Sequence, residues 1–413
     1  MASWVETSEQ PEFSLTNLPF GVFSTKSDSI PRIGVAIGSY VLDLKLLAQR
    51  RVFAGLDFNT DTLQATTLNT YAALGRHIHR RVRAYLQKVL AHDASVRHVL
   101  RDNVELREAS LIDMRIVQMH LPMDIGDYTD FFTSPYHAQN VCINIVRPGT
   151  QLPSNFWDFP LGYHGRASSI VVSGTQIRRP RGHRVVNGAM TFGPCRKLDF
   201  EVELAAFIGE GNALGKSIGV DEAEKHIFGF VLLNDWSARD IQRAEAGLMG
   251  PLNGKNFATT ISPWVVSPDA LENYRAEPLD NHPPQPHLQS GQKNSVFDIN
   301  IDHLIAQCNT KNVLFSFPQM IAHHTASGCP MRTGDLIATG TVSGPENTQL
   351  GCLLELTRDG TVPFQKPSGI DNTATIHREW LKDGDRIIFR VSKDNQGKAA
   401  DVGFGSCEGT IAI

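Results

Sequence analysis

The sequence predicts a mostly β protein with some α-helix, divided into two domains. Its 413 residues are more than one hydrophobic core usually serves. Up to about residue 120, short strands are followed by a helical pattern, whereas later apolar runs are short and separated by Gly, Pro and Asn turns. We therefore expect a small N-terminal domain over residues 1–120 and a larger, mostly β domain over residues 121–413.

The first domain is predicted to combine strands with one helical segment. The run GVAIGSYVLDL alternates around Gly38 and Ser39, which is typical of a β-hairpin. Apolar residues then recur every three or four positions, and this predicts a helix from about Thr67 to Leu90. The recurring residues are Leu74, Ile78, Val82, Leu86 and Val89.

Charged and polar residues on that helix are expected at the surface. Arg76, Arg80 and Arg83 indicate a solvated face rather than a nucleic-acid interface. His77 and His79 would leave the helix on different sides, so they are not expected to act as paired ligands. The formal net charge of −4 also gives no reason to expect a polyanionic partner.

Cysteine usage and apolar runs bear on location. The six cysteines show no CxxC spacing, so neither a zinc–thiolate site nor a redox motif is expected. The first residues lack the basic and apolar regions of a secretory signal, and no apolar run approaches the roughly 20 residues of a membrane span. These features predict a reducing, cytoplasmic location without a membrane partner.

Two glutamates lie two positions apart in the apolar, strand-like run KLDFEVELAAFIG. Alternation along a strand places Glu201 and Glu203 on the same face, where they would repel each other unless a cation neutralises them. They could hold a metal ion, or they could face water on a half-exposed strand.

Further acidic residues lie in unusual surroundings. Asp235 follows the apolar strand Ile227–Leu233, where it could join a metal site or cap the helix that follows. The aromatic, loop-like segment IGDYTDFFTSPYHAQN contributes Asp130 and His137. A set of carboxylate oxygens suits Mg²⁺ or Ca²⁺, with Mn²⁺ also possible, better than zinc.

The chain contains the motifs GDYTDF, LGYHGRASSIVVSGT, LDFEVELAAFIG, HIFGFVLLNDWSARDIQ, GKNFATTISPWVV, GDLIATGTVSG and DVGFGSCEG. Together they resemble the fumarylacetoacetase family, and the resemblance runs from about Phe13 to the C-terminus. The resemblance implies a small N-terminal β-barrel, a larger C-terminal mixed β-sandwich roll and a cytosolic homodimer. It also implies metal-dependent hydrolysis of a carbon–carbon bond in a 1,3-diketo acid, fumarylacetoacetate, in tyrosine and phenylalanine catabolism.

The resemblance also implies roles for individual residues. His137 matches the catalytic base and Glu355 its orienting carboxylate, while Arg239, Gln242 and Lys255 match the groups around the reacting carbonyl. The matched metal ligands are Asp130, Glu201, Glu203 and Asp235, with Lys255 and Thr259 near a second, structural cation. The matched substrate positions are Phe132, Arg147 (one place off the ungapped register), Tyr163, Ala246 and Thr341.

The chain departs from the family in its substrate pocket. Phe132 and Ala246 stand where the family has tyrosines, and Ala244 stands where it has tryptophan. Losing two aromatic side chains, which bury roughly 150–250 Å² each, predicts a wider pocket. One alternative is therefore a paralogue that uses the same metal–enolate chemistry on a bulkier β-dicarbonyl compound. Another is a non-catalytic, metal-stabilised dimer.

Overall fold

The N-terminal part contains an antiparallel five-stranded sheet in a computed structural model of the chain. That structure describes residues 2–7, 11–93, 95–146, 148–245, 250–279, 284–304, 306–367, 375–392 and 401–413. The strands of this sheet are β1 (Phe20–Thr25), β2 (Arg32–Ile37), β3 (Tyr40–Asp43), β4 (Leu111–Asp113) and β5 (Val117–His120), in the order β4-β3-β2-β1-β5. Its edge strands are not paired with each other in the described residues, so the predicted barrel closure is not confirmed.

Two local predictions in this part can be compared with the structure. The hairpin around Gly38 and Ser39 is confirmed, because β2 and β3 pair on either side of it and Gly38 adopts a φ of +54°. The single helix predicted over Thr67–Leu90 is instead two helices, since Gly75 has a φ of +82° that interrupts it. The helices of this part are α1 (Leu44–Gln49), α2 (Asn69–Ala72), α3 (Arg76–Leu90) and α4 (Val104–Ser110).

The prediction of a solvated polar face on α3 was wrong for three residues. Arg76 is largely buried in ion pairs with Glu224 and Asp269. Arg83 is buried and donates to backbone carbonyls of residues 16 and 17. His79 is also buried, with Nε2 3.0 Å from the Tyr71 carbonyl oxygen. Helical spacing identified the apolar face, but it carried no information about partners distant in the chain.

The larger part is built mainly from strands, as predicted. After position 120 the strands of the described residues are β6 (Tyr128–Phe131), β7 (Gly162–Gly165), β8 (Ile170–Val172), β9 (Gln176–Ile177), β10 (Arg181–Val186), β11 (Ala189–Pro194), β12 (Leu198–Asp199), β13 (Val202–Ile208), β14 (Ile227–Asp235), β15 (Ser237–Ala238), β16 (Thr259–Ile261), β17 (Arg275–Ala276), β18 (Val296–Phe297), β19 (Asn300–His303), β20 (Ala306–Asn309), β21 (Leu336–Ala338), β22 (Phe364–Pro367), β23 (Thr375–Arg378), β24 (Arg386–Val391) and β25 (Cys407–Ile411). The helices are α5 (Pro135–Ala138), α6 (Val220–Ala223), α7 (Arg239–Glu245), α8 (Phe317–Thr325) and α9 (Leu353–Leu356), and a π-helical segment, Gln139–Val146, continues α5.

A seven-stranded mixed sheet forms the centre of this part. Its order is β7-β6-β21-β13-β14-β16-β8, with β6 parallel to β21 and β16 parallel to β8. The larger part also contains a five-stranded sheet of order β20-β19-β24-β25-β9. The mostly β fold class with some helix is confirmed.

The two faces of the seven-stranded sheet contact different cores because side chains alternate along its strands. On β13, Ala205 and Phe207 pack with the apolar residues of the N-terminal part. Leu204 and Ala206 face the core of the larger part. In the described residues, no helix is long and apolar enough to cross a membrane.

Candidate active site

Four buried carboxylates meet at one end of the seven-stranded sheet. Asp130 lies in β6, Glu203 in β13 and Asp235 at the end of β14, while Glu201 directly precedes β13. One carboxylate oxygen from each lies within 4.8 Å of the others. Each residue is at most 4% exposed, so the alternative that the two glutamates face water is wrong.

Strand pairing explains why these carboxylates converge. The Asp235 amide donates to the Glu201 carbonyl oxygen at 3.2 Å, which extends the antiparallel pairing of β13 and β14. Glu203 lies on the same face of β13 as Ala205, which pairs with Ala338 on β21. Asp235 is therefore held within a sheet, and α7 begins only at Arg239, so the helix-cap alternative for Asp235 is not supported.

Two cations lie among the four carboxylates. The Lys255 ammonium contacts Glu201 and lies 2.6 Å from Asp235 Oδ2. Arg239 Nη2 lies 2.8 Å from Glu201 Oε1. Burial alone would raise the pKa of Glu201, but Lys255, Arg239 and His137 outweigh it and hold that pKa at about 2. Glu201 is therefore ionised at neutral pH.

Glu203 and Asp130 lack comparable partners. Both carboxylate oxygens of Glu203 and Oδ1 of Asp130 have no hydrogen-bond partner among the described residues. Burial, and then the neighbouring carboxylates, raise the pKa of both residues well above the usual range. Buried polar atoms are seldom left without partners. These oxygens fit a hard divalent cation, which accepts oxygen ligands and reverses the repulsion that raises the two pKa values.

A histidine–glutamate pair lies beside this cluster. Ser134 caps α5 and accepts from the His137 amide at 3.4 Å. His137 Nδ1 lies 2.7 Å from Glu355 Oε2, and Nε2 lies 3.8 Å from Glu201 Oε1. With Nδ1 donating to Glu355, Nε2 is left as a proton acceptor that faces the carboxylate cluster.

Donors around Glu355 keep it ionised. The Asn140 side-chain amide donates to Oε1 at 2.9 Å, and the Ser343 hydroxyl donates to Oε2 at 2.6 Å. Burial raises the pKa of Glu355, but His137, Ser343 and Asn140 outweigh burial and lower that pKa. Sequence reasoning missed Asn140 and Ser343. The spacing of three between His137 and Asn140 on a helix could have identified the first, whereas no local signal identified the second.

Cys352 belongs to the hydrogen-bond network of this pair. Its Sγ lies within 4.8 Å of ligand atoms of His137 and Glu355, and it donates to Glu355 Oε2 at 3.2 Å. Burial, followed by the charge of Glu355, raises the pKa of the thiol well above its usual value. In this structure the thiol therefore serves as a hydrogen-bond donor to Glu355.

The other residues predicted by resemblance are divided between this site and undescribed positions. Gln242 accepts from Arg239 Nη1 at 3.3 Å, and the Tyr163 hydroxyl donates to Asp235 Oδ2 at 2.8 Å. The Phe132 ring centroid lies 5.4 Å from that of His137, and Thr341 is buried two residues before Ser343. The predicted substrate positions Arg147 and Ala246 lie outside the described residues.

Lys255 and Thr259 lie beside Asp235. The Thr259 hydroxyl donates to Asp235 Oδ1 at 3.4 Å, and the Lys255 ammonium contacts the same residue. Asp235 and Glu201 raise the pKa of Lys255 despite its burial. A protonated ammonium has no lone pair, so the Lys255 side chain cannot itself be a ligand of the expected second cation.

Comparison with known proteins covers nearly the whole chain. Residues 16–122 match the fumarylacetoacetase N-terminal family, and residues 130–412 match the fumarylacetoacetate (FAA) hydrolase C-terminal family. A fumarylacetoacetase of Aspergillus fumigatus is 45% identical over 432 residues, with 100% of this chain and 98% of that protein aligned. The human fumarylacetoacetase is 42% identical over 425 residues, with 99% of this chain and 98% of that protein aligned.

A solved structure supports the fold independently. A fumarylacetoacetate hydrolase from Exiguobacterium antarcticum matches with a TM-score of 0.51 and 16% sequence identity. The match covers 96% of this chain and 99% of that chain. At this identity the likeness concerns the fold alone.

Proposed function

The chain belongs to the fumarylacetoacetase family, and on that premise we propose how its residues hydrolyse fumarylacetoacetate to fumarate and acetoacetate. It is a hydrolase that acts on a carbon–carbon bond. The observation that carries the mechanism is the buried His137–Glu355 pair, whose free nitrogen faces the carboxylate cluster across 3.8 Å. A general base beside a candidate metal site is what this hydrolysis requires.

His137 is proposed to start the reaction by accepting a proton from water at Nε2. The hydroxide equivalent forms a bond to one carbonyl carbon of the substrate, and that carbonyl becomes a tetrahedral oxyanion. Glu355, 2.7 Å from Nδ1, fixes the tautomer of the imidazole and stabilises the imidazolium that forms. General-base catalysis of this kind typically contributes about 10²–10⁴-fold in rate.

Three donors are proposed to stabilise the oxyanion. Lys255 and Arg239 are buried cations beside Glu201, and Gln242 lies next to Arg239. One such donor is typically worth about 10²–10³-fold in rate. When the oxyanion collapses, the carbon–carbon bond breaks and its electron pair passes to the carbon next to the second carbonyl. The imidazolium of His137 returns the proton to that carbon, so fumarate and acetoacetate account for the substrate and one water.

A divalent cation is proposed to be held by the four buried carboxylates. The ligands would be Asp130, Glu201, Glu203 and Asp235. Both oxygens of Glu203 and Oδ1 of Asp130 have no hydrogen-bond partner among the described residues, which supports Mg²⁺ or Ca²⁺, with Mn²⁺ possible. When bound, such a cation acts as a Lewis acid towards carbonyl oxygens and stabilises enolate charge. Four carboxylates against two protein cations leave a negative site that a divalent ion would balance.

The substrate is proposed to contact Phe132, Arg147, Tyr163, Ala246 and Thr341. Phe132 lies beside His137, which supports a place at the reacting end of the pocket. Phe132 and Ala244 also leave open a bulkier β-dicarbonyl substrate for the same catalytic groups. The experiment below distinguishes this alternative from fumarylacetoacetate.

Assembly, location and domain boundaries are also proposals. We propose a cytoplasmic homodimer that acts in tyrosine and phenylalanine catabolism, with domains over residues 1–120 and 121–413. None of the six cysteines, all within the described residues, forms a disulfide bond, which is compatible with a reducing compartment.

The test follows the ultraviolet absorbance of fumarylacetoacetate with purified protein, after metal removal and after Mg²⁺ or Ca²⁺ is added back. We expect metal-dependent decay that His137→Ala slows by about 10²–10⁴-fold. His77→Ala, at an exposed histidine of α3, is the matched control and should retain the wild-type rate. Decay that is unaffected by His137→Ala would contradict the mechanism. No decay with the metal-loaded wild type would exclude this substrate and favour a bulkier dicarbonyl.

A further inference from the structure

Asp199 is a fully buried carboxylate that lies outside the catalytic set. It ends β12, and its side chain accepts four hydrogen bonds. Oδ1 accepts from the amides of Phe200 at 2.8 Å and Leu353 at 2.7 Å. Oδ2 accepts from the Leu354 amide at 3.0 Å and from Arg239 Nε at 2.8 Å.

These partners connect Asp199 with two parts of the proposed active site, the Arg239 side chain and helix α9. Another nitrogen of the Arg239 guanidinium, Nη2, lies 2.8 Å from Glu201 Oε1. Leu353 and Leu354 begin α9, the short helix that carries Glu355 towards His137. The Asp199 carboxylate therefore connects Arg239, which lies next to the candidate metal ligands, with α9, the helix that carries Glu355.

We propose that Asp199 is a positioning residue, which fixes Arg239 and Glu355 relative to each other through this shared carboxylate. This inference rests on the function proposed above. The four hydrogen-bond partners of Asp199 include neither His137 nor a candidate metal ligand, so it would act through those two residues. Sequence alternation places Asp199, Glu201 and Glu203 at every second position, a signal that could have singled it out.

The site requires an acceptor-only side chain. All four partners of Asp199 are N–H groups, and a carboxylate accepts at both oxygens. In Asp199→Asn the side-chain NH₂ must face at least one of these donors. If the NH₂ replaces Oδ1, α9 loses its bond from the Leu353 amide. If it replaces Oδ2, the Leu354 amide and Arg239 both lose their bonds, although the side chain keeps its size.

The chain offers a matched control in Asp43. This residue is 5% exposed, accepts from Arg32 Nε at 2.7 Å and accepts from the Leu46 amide at 2.9 Å as the cap of α1. Asp43 thus combines an arginine partner with a helix-capping bond, but in the N-terminal sheet. Asp43→Asn removes a buried charge in the same way but leaves Arg239 and α9 unchanged.

The experiment compares kcat and KM of the two variants on fumarylacetoacetate, with metal saturating and well below their melting temperatures. We expect Asp199→Asn to lower kcat by about 10–100-fold, because misplacement by 1 Å can cost about 10²-fold. KM should change less than about threefold, and Asp43→Asn should keep kcat within about twofold while losing thermal stability. Equal kcat in the two variants would overturn the proposal, since Asp199 would then be only structural.

A double-mutant cycle tests whether Asp199 acts through Glu355. The loss in Asp199→Asn combined with Glu355→Gln should be smaller than the product of the two single losses, because the two residues share one helix. If the loss in the double mutant equalled the product of the two single losses, Asp199 would not act through Glu355. The cycle requires turnover, so it depends on the wild type being active on fumarylacetoacetate.

Hydrogen exchange gives a measurement that is independent of activity. In the wild type, the amides of Leu353 and Leu354 should be strongly protected, and Asp199→Asn should deprotect residues 350–358 more than Asp43→Asn does. Unprotected wild-type amides would overturn the positioning role, even if Asp199→Asn does not fold. An inactive wild type with protected amides would overturn only the proposed function.

Discussion

Glu203 is a fully buried carboxylate of the candidate metal site. It is 0% exposed, and both of its oxygens lack partners among the described residues. Asp130, Asp235 and Glu201 add like charge around it. Burial of Glu203 therefore lowers the stability of the metal-free fold, and a bound cation would restore it. Such a loss of stability is common at functional sites.

We expect Glu203→Gln to separate stability from metal response. Because its pKa is raised, Glu203 makes the metal-free fold either bury a charge or take up a proton at pH 7. Gln avoids this cost, so the free energy of unfolding should rise by about 1–3 kcal/mol. The substitution should also abolish most of the rise in melting temperature that Mg²⁺ or Ca²⁺ produces in the wild type. Thermal unfolding with and without each metal measures both effects. Glu272→Gln, at an exposed carboxylate, is the control, and a full metal response in Glu203→Gln would contradict the assignment.

At this scale the sequence predicted part of the site. Strand alternation predicted that Glu201 and Glu203 share a face, and family resemblance paired His137 with Glu355 across 218 residues. The bond between Ser343 and Glu355, 12 positions apart, follows no helical or strand spacing, so it could not be predicted. Alternation could single out Asp199 but not its partners on α9, which lie 154 and 155 positions away. Local pattern fixes the face on which a side chain lies, whereas its partner depends on the tertiary fold.

Helix α3 illustrates the same limit for a whole element. Its apolar positions predicted a helix correctly, but Arg76 faces the larger part of the chain and Arg83 is buried within the N-terminal part, while Arg80 stays 59% exposed as expected. Arg76 joins Glu224 and Asp269, and Arg275 lies 2.7 Å from Glu224 Oε1. Burial would raise the pKa of both acids, but these arginines outweigh it, so the pKa of Glu224 and of Asp269 is lowered.

We expect Arg76→Met to destabilise the protein in a pH-dependent way. Acids with lowered folded pKa values stabilise the fold above their unfolded values of about 4, and this contribution disappears as the pH falls through the folded values. The variant should lose about 2 kcal/mol at pH 7, between the values typical of exposed and buried pairs, and less near pH 3.5. Urea unfolding between pH 7 and 3.5 measures the difference.

The control for this experiment is an exposed pair. Arg50 and Glu105 are 58% and 84% exposed, so Arg50→Met should change stability by less than about 1 kcal/mol at any pH. If Arg76→Met showed the same pH dependence as the wild type, the ion-pair network would not contribute to the attachment of α3.

For the whole molecule, the seven-stranded sheet requires cover on both faces. Its N-terminal cover includes Phe20, whose amide and carbonyl bond Val265, and Tyr71, whose ring lies 6.1 Å from that of Phe228. The sequence predicted two domains and their boundary near residue 120, but it did not predict that they share one core. That sharing depends on side chains such as Phe207, which look ordinary in a strand pattern.

We expect a fragment of residues 121–413 to fail to fold alone. It would expose the sheet face that carries Ala205, Phe207, Val231 and Leu233, an apolar patch of the kind that aggregates. Soluble yield and binding of a hydrophobic dye, compared with the full chain, measure this. Co-expression of residues 1–120 should restore soluble protein. A monomeric fragment with cooperative unfolding would show that the two parts are independent.

The strand order of the seven-stranded sheet also determines when the protein becomes active during its synthesis. Strand β21, near residue 337, lies between β6, which carries Asp130, and β13, which carries Glu203. A nascent chain on the ribosome therefore cannot bring these two carboxylates into register until about four-fifths of its residues have emerged. Glu355 emerges later still. A chain terminated before residue 355 therefore lacks the carboxylate that orients His137.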